Sequence, residues 1–117
     1  QKKDIQMFKK IFSSQEFNPR CLVEAAALMD RARKGNDKQL LAEAVDHNKK
    51  IWADIHFLVA RSDNLFPKEV CSEMTRLSDY VWSATKSEGR DISDLVLNTL
   101  INIDLQISEG LLYGEKR

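Results

Sequence analysis

The chain has 117 residues, 43% of them hydrophobic, and its 18 basic and 18 acidic residues give a formal net charge of zero. This length fits one domain with a single hydrophobic core. The balanced charge argues against direct nucleic-acid binding, which draws on an excess of Lys and Arg facing phosphates. No apolar run approaches the roughly 20 residues of a membrane span. The opening "QKKDIQMFKK" lacks an apolar stretch and a small-residue cleavage site, which predicts no signal peptide there.

Residues 1–17 carry Ile5, Phe8, Ile11 and Phe12 at helical spacing, with lysines between them. We expect this N-terminal segment to be either a short helix that packs on the rest of the chain or a mobile segment that docks on a partner. A basic amphipathic stretch also suits a membrane surface. This one is short, so we favour the first two interpretations.

Two helices are predicted next. Asn18-Pro19 is a typical helix start, with Asn as the N-cap and Pro at the first helical position. The helix "RCLVEAAALMDRARK" ends on basic residues that complement the helix dipole, and Gly35 is expected to close it. Asn36 or Asp37 caps a second helix, whose apolar residues recur at i, i+3 and i+4 for about six turns. The expected inner faces are Leu22, Ala25, Ala26 and Met29, then Leu40, Leu41, Ala44, Val45, Asn48, Ile51, Trp52, Ile55, Leu58 and Val59.

A third helix is expected to begin at Pro67 and to end at Gly89. Its spacing predicts an inner face of Val70, Met74, Leu77, Val81 and Trp82. Large aromatic residues at such positions more often pack in a core than bind a ligand. Across the chain, the residues that we expect to form the core are Trp52, Trp82, Ile55, Leu100 and Ile103.

The fourth predicted helix, capped by Asp91 and running to about Gly110, is apolar over much of its circumference. One apolar stripe is Ile92, Val96, Leu100, Ile103 and Ile107, and a second, adjacent stripe is Leu97, Ile101 and Leu105. A central position in a bundle explains both stripes. The alternative is that part of the second stripe is an exposed docking surface for a partner helix.

These patterns predict an all-α fold, a single-domain bundle of four main helices to which the N-terminal segment adds a further short helix if it folds. The domain is expected to span residues 18–113, followed by a tail at 114–117. No stretch shows the strict alternation of a β-strand.

No catalytic or metal-binding pattern is present. His47 and His56 are nine residues apart on one helix, which is not the i, i+4 spacing that would present a metal. Cys21 and Cys71 fall at apolar helical positions and are expected to be small buried residues, with a disulfide or a metal as the less favoured alternative. Carboxylates appear scattered along polar faces. We therefore expect no enzyme, no cofactor and no metal, and the cysteines favour a reducing, cytoplasmic compartment.

Two blocks of sequence resemble a known family. They are "NKKIWADIHFLVARSDNLFPKEV" and "GRDISDLVLNTLINIDLQISEGL". Together with the "NPRCLVEAAALMDRARK" helix, they resemble the flagellar biosynthesis regulator family FlaF of alphaproteobacteria. The residues that carry the resemblance are Trp52, Asp63, Asn64, Leu65 and Pro67 in the first block, and Asp94, Leu95, Leu100, Ile101, Asn102, Ile103, Glu109, Gly110 and Leu111 in the second.

The resemblance implies a non-enzymatic accessory factor for flagellin. The expected function is to bind newly made flagellin in the cytoplasm, to cover apolar terminal helices that would otherwise polymerise, and so to act as a secretion chaperone and a regulator of flagellum biosynthesis. The expected contact residues are Leu97, Ile101 and Leu105, with Leu65 and Phe66 beside the polar turn.

Two alternatives remain open at this point. The protein could regulate flagellin synthesis after transcription, through the regulator FlbT or by touching flagellin mRNA. It could instead be a structural homo-oligomer that buries the second stripe in a symmetric interface. Zero net charge counts against direct RNA contact but not against a route through FlbT.

Overall fold

A computed structural model describes residues 18–61, 67–86 and 91–113, the last three by their backbone alone. The described residues form four α-helices and no strand: α1 (Arg20–Lys34), α2 (Lys38–Ala60), α3 (Lys68–Ala84) and α4 (Asp94–Tyr113). The predicted all-α fold is thus confirmed. The N-terminal segment 1–17, the tail 114–117 and the Arg-Ser-Asp-Asn turn beyond Arg61 lie outside the described residues.

Local hydrogen bonds fix the turn between α1 and α2. After α1, the N–H of Asp37 bonds to the carbonyl of Ala32 and that of Asn36 to Arg33, which is the Schellman arrangement. Asn36 takes the left-handed conformation at φ 54°, whereas Gly35 stays at φ −80°. The Asp37 carboxylate then accepts the N–H of Leu40 at 3.0 Å and caps α2, as expected.

The ends of the last two helices differ from the expectation. α3 ends at Ala84, where the Thr85 hydroxyl donates to the Val81 carbonyl at 2.7 Å, and Gly89 lies outside the described residues. α4 begins at Asp94 because Ser93, not Asp91, is the cap: the Ser93 hydroxyl accepts the N–H of Val96 at 3.2 Å.

The helices pack in an open arrangement. α1 packs along both α2 and α4, and α3 packs along α2. α4 and α3 share only a small contact. No Cα atom of α2 lies within 8 Å of one in α4. The core fills the space between the helices. Its fully buried large apolar side chains are Leu22, Met29, Trp52, Ile55, Val81, Leu97 and Leu100.

Cys21 and Cys71 are both partly buried thiols that pack against this core. Among the described residues, no group of three or more His, Cys, Asp or Glu side chains is placed to hold a metal ion. None of the four described helices is long and apolar enough to cross a bilayer.

Candidate functional site

A cleft of about 190 Å³ lies between α2 and α3. We call it the α2–α3 cleft. Its α2 wall consists of Lys49, Trp52, Ala53 and His56, and its α3 wall of Ser78, Asp79, Val81 and Trp82. Its volume is below the roughly 300–1,000 Å³ of small-molecule sites. The cleft is therefore of the size of a few side chains.

Trp82 lies at the mouth of this cleft and is 56% exposed. Its assignment to the core was wrong. The buried residues of α3 centre on Met74, Leu77, Ser78 and Val81, and one further step of about 100° along a helix carries residue 82 past the edge of that face.

Lys49 covers part of the exposed indole. Its Nζ lies 4.0 Å from the ring centroid of Trp82, within range of a cation–π contact. Elsewhere along the cleft, His56 Nε2 lies 3.9 Å from an Asp79 carboxylate oxygen, and both side chains are largely exposed. The cleft thus carries an apolar ring, a cation and a His–Asp pair, all open to solvent.

A second aromatic residue extends the apolar surface beyond the cleft. Phe57 follows Ala53 by one helical turn and is 66% exposed. Trp82 and Phe57 are thus two exposed large aromatic side chains on adjacent helices. We call Ala53, His56, Phe57 and Trp82 the aromatic surface.

Below the cleft, Trp52 joins a polar contact inside the core. Its indole N–H donates to Asp104 Oδ1 at 2.9 Å, and both side chains are buried. With the Asn48 amide in the orientation that satisfies its hydrogen bonds, the Asn48 nitrogen lies 3.2 Å from Asp104 Oδ1 and 2.5 Å from Oδ2. The carboxyl group of α4 therefore meets two neutral donors of α2.

Burial raises the pKa of Asp104 to about 7, and the hydrogen bond from Trp52 opposes this shift. On α1, burial likewise raises the pKa of the Cys21 thiol to about 11, helped by the nearby carboxylates of Asp104, Glu24 and Asp54. A thiol with this pKa is protonated and unreactive at neutral pH. Cys21 is partly buried and packs against the core.

The expected docking stripe of α4 does not form an exposed surface. Leu97 and Ile101 are buried, and only Leu105 is exposed. The reason is the rotation of α4, whose buried face lies between the two apolar stripes instead of along the first. That face consists of Leu97, Leu100, Ile101, Asp104 and Ser108. Leu65 and Phe66, the other expected contact residues, lie outside the described residues.

The other residues that were expected in the core are buried or partly buried. Trp52, Ile55 and Leu100 are buried in the core, and Ile103 is partly buried and packs against it. His47 is exposed on α2, away from the lining of the cleft.

The family model for flagellar protein FlaF matches residues 5–111. The chain belongs to the FlaF family. The match starts ahead of residue 18, so the FlaF domain takes in most of the N-terminal segment. The chain shows no match among curated proteins or solved structures. Both the aromatic surface and the Trp52–Asp104 contact fall inside the FlaF match.

Sequence reasoning missed Asp104 in this FlaF chain, because its carboxylates were all expected on polar faces. A signal was present: Asp104 follows Leu97 by seven residues and Leu100 by four, which places it on the same side of the helix. Asn48 was already expected on the inner face of α2. A polar residue at an apolar position on each of two helices indicates a buried pair.

Proposed function

We propose that this FlaF protein binds newly made flagellin in the cytoplasm and acts as its secretion chaperone, covering apolar helices that would otherwise polymerise. Its family supports a part in the flagellar system. The observation that carries the proposal is the exposed Trp82 at a cleft of side-chain size, with Phe57 also exposed on the neighbouring helix α2.

The shape and chemistry of the cleft favour an amphipathic helix as the bound segment. A helix laid along a groove between two helices inserts side chains spaced at i, i+3, i+4 and i+7. The indole of Trp82 offers a large apolar area, and tryptophan is among the residues that contribute most to protein interfaces. Binding of this kind draws on apolar burial, at roughly 25 cal/mol per Å², so it should depend little on salt.

The test is calorimetric titration of this protein with monomeric flagellin, then with flagellin lacking its terminal helices, at low and at physiological salt. We expect salt-tolerant binding that disappears on truncation. No heat with a monomeric, secretion-competent flagellin sample would overturn the proposal, and the same titration with FlbT would then test the regulatory alternative. A steep loss of flagellin affinity with salt would point to ion pairs between the two proteins instead of apolar burial. The mRNA alternative is tested by a separate titration with flagellin mRNA, where phosphate contacts give a steep salt dependence.

Matched variants place the binding surface. Trp82→Ala should weaken flagellin binding by about tenfold or more, which corresponds to about 1.4 kcal/mol. Leu95→Ala removes a side chain that is 77% exposed on α4 and should leave the affinity unchanged. Leu105→Ala tests the exposed remnant of the expected stripe. A larger loss for Leu105→Ala than for Trp82→Ala would move the binding surface from the aromatic surface to α4.

A further inference from the structure

Two side-chain pairs span the α2–α3 cleft, one toward each end. At one end, Lys49 Nζ of α2 lies 4.0 Å from the ring centroid of Trp82 on α3. At the other end, His56 Nε2 of α2 lies 3.9 Å from a carboxylate oxygen of Asp79 on α3. Lys49 and His56 lie about two helical turns apart on α2, roughly 10 Å along the helix axis. The cleft thus has a cation at one end and a carboxylate at the other.

The middle of the cleft, between these pairs, is apolar. Trp52 and Val81, each 1% exposed, belong to its buried lining, and the exposed Ala53 borders it on α2. An apolar side chain of a bound segment fits here. A polar side chain next to it on the same segment would meet one of the two charged ends.

The two neighbouring lysines of α2 differ in their surroundings. Lys49 lines the cleft, is half-buried and places its ammonium group over the Trp82 ring. Lys50 is exposed, and its Nζ lies 3.2 Å from Asp46, one turn back on the same helix. Lys49 therefore meets whatever enters the cleft, and Lys50 is a matched control for its charge.

The position of the Lys49 ammonium group limits what can cover Trp82. A segment that buries this face of the ring has to move the ammonium group aside, which is easy because an exposed cation–π contact is weak. The displaced ammonium group then borders an apolar segment and loses hydration unless a carboxylate pairs with it. Asp79 repels a carboxylate at the opposite end, so the favourable place for one is beside Lys49.

We propose that Lys49 makes the α2–α3 cleft selective for an amphipathic helix that carries a carboxylate beside its apolar stripe. The apolar side chains enter the cleft against Trp82, and the carboxylate takes the Lys49 ammonium group from the ring. This inference rests on the proposed docking of a helix in the cleft and adds the charge that the helix carries. A single exposed ion pair contributes little to the total affinity, so binding as a whole stays salt-tolerant.

Two synthetic peptides test this selectivity without flagellin. Both are amphipathic helices of about 18 residues with the same leucine stripe at i, i+3, i+4 and i+7, and the positions beside the stripe are Glu in one and Lys in the other. Because the protein has a formal net charge of zero, its overall field favours neither peptide. Binding to the full chain is followed by nuclear magnetic resonance at the indole N–H signal of Trp82, assigned with Trp82→Phe. The Glu peptide should bind at least about fivefold more tightly than the Lys peptide.

Charge variants assign the preference to one residue. Lys49→Met should abolish it and Lys49→Glu should reverse it, whereas Lys50→Glu makes the same charge change one residue away and should retain it. Equal binding of the two peptides to the unmodified protein overturns the inference. A preference that survives Lys49→Met, or that Lys50→Glu removes equally, does so too.

The outcome also separates this inference from the proposed function. If neither peptide shifts the Trp82 signal, the cleft does not take a helix of this chemistry and the inference fails, while the flagellin titration still decides the chaperone function. Flagellin binding together with equal binding of the two peptides would leave the proposed function standing and remove the role of Lys49.

Discussion

Trp52 and Trp82 lie on neighbouring helices and line the same cleft, yet their environments are opposite. Trp52 is 1% exposed and gives its indole N–H to a buried carboxyl group. Trp82 is 56% exposed and meets the ammonium group of Lys49 across its ring face. Trp52 packs in the core with its apolar ring and forms a hydrogen bond there with its indole N–H group. Trp82 leaves most of its ring to solvent, where a partner could cover it.

The comparison shows that the role of a tryptophan can be judged from its burial and from the partner of its indole N–H group. A buried indole whose N–H has a partner is a stability element, and its loss should be felt in unfolding. An exposed indole that meets a single cation contributes little to folding, so its loss should be felt less in unfolding. Substitutions at the two sites should therefore separate stability from binding.

The largest effect is expected for Trp52→Ala, which leaves a cavity in the core and removes one of the two hydrogen-bond donors to Asp104. The free energy of unfolding should fall by about 3–5 kcal/mol, as measured by urea denaturation followed by circular dichroism. A loss below about 1 kcal/mol, with flagellin binding abolished, would reverse the roles that we assign to the two tryptophans.

Trp52→Phe distinguishes the contribution of the apolar ring to stability from that of the indole N–H group. It keeps most of the apolar volume but removes the donor to Asp104, so we expect a loss of about 1–3 kcal/mol in the same unfolding measurement. Tyr80→Phe, a change on the exposed side of α3, serves as the control and should have no effect. If Trp52→Phe is as stable as the unmodified protein, the hydrogen bond is not what anchors α4.

Trp82→Ala should lower the stability by about 1 kcal/mol or less, since the ring is more than half exposed. The same variant is expected to lose flagellin affinity, so that its effects on folding and binding differ in size. A large loss of stability would mean that the cleft closes around Trp82 in solution.

The smallest effect is expected for Lys49→Met, which removes the cation over Trp82 while keeping an apolar side chain of similar reach. An exposed cation–π contact contributes about 0.5–1 kcal/mol, so the unfolding midpoint should shift only slightly. The fluorescence emission of Trp82 should change with it. Lys50→Met removes the neighbouring lysine, which pairs with Asp46 at 3.2 Å, and it should leave that emission unaltered.

Much of this fold could be predicted from the sequence. The periodicity of α1 and α2 gave their inner faces, and Asp37 gave the start of α2, because caps and amphipathic spacing are local properties. Gly35 is the C-cap of α1, as expected, although it stays at φ −80° and Asn36 after it takes the left-handed conformation. The cap of α4 was predicted wrongly, because Asp91 was expected there and the hydrogen bond from the Val96 N–H identifies Ser93 instead.

The candidate sites were harder to predict, because they depend on how whole helices are rotated. The sequence of α4 shows two apolar stripes, but which side faces inward depends on how the helix packs along α1 and on its side-chain contact with Trp52 of α2. That rotation buries Leu97 and Ile101 and carries Asp104 into the core. Residue type alone could not separate the two tryptophans either, since both fall near the inner faces of their helices.

The sequence by itself determined an all-α chain, the approximate helices and a resemblance to the FlaF family. Helix periodicity, caps and short motifs depend only on residues that are close together in the chain. Only the tertiary structure decided that Trp52 is buried against Asp104 and that Trp82 is exposed beside Lys49. Those partners lie 52 and 33 positions apart in the chain, and only the packing of helices sets such distances.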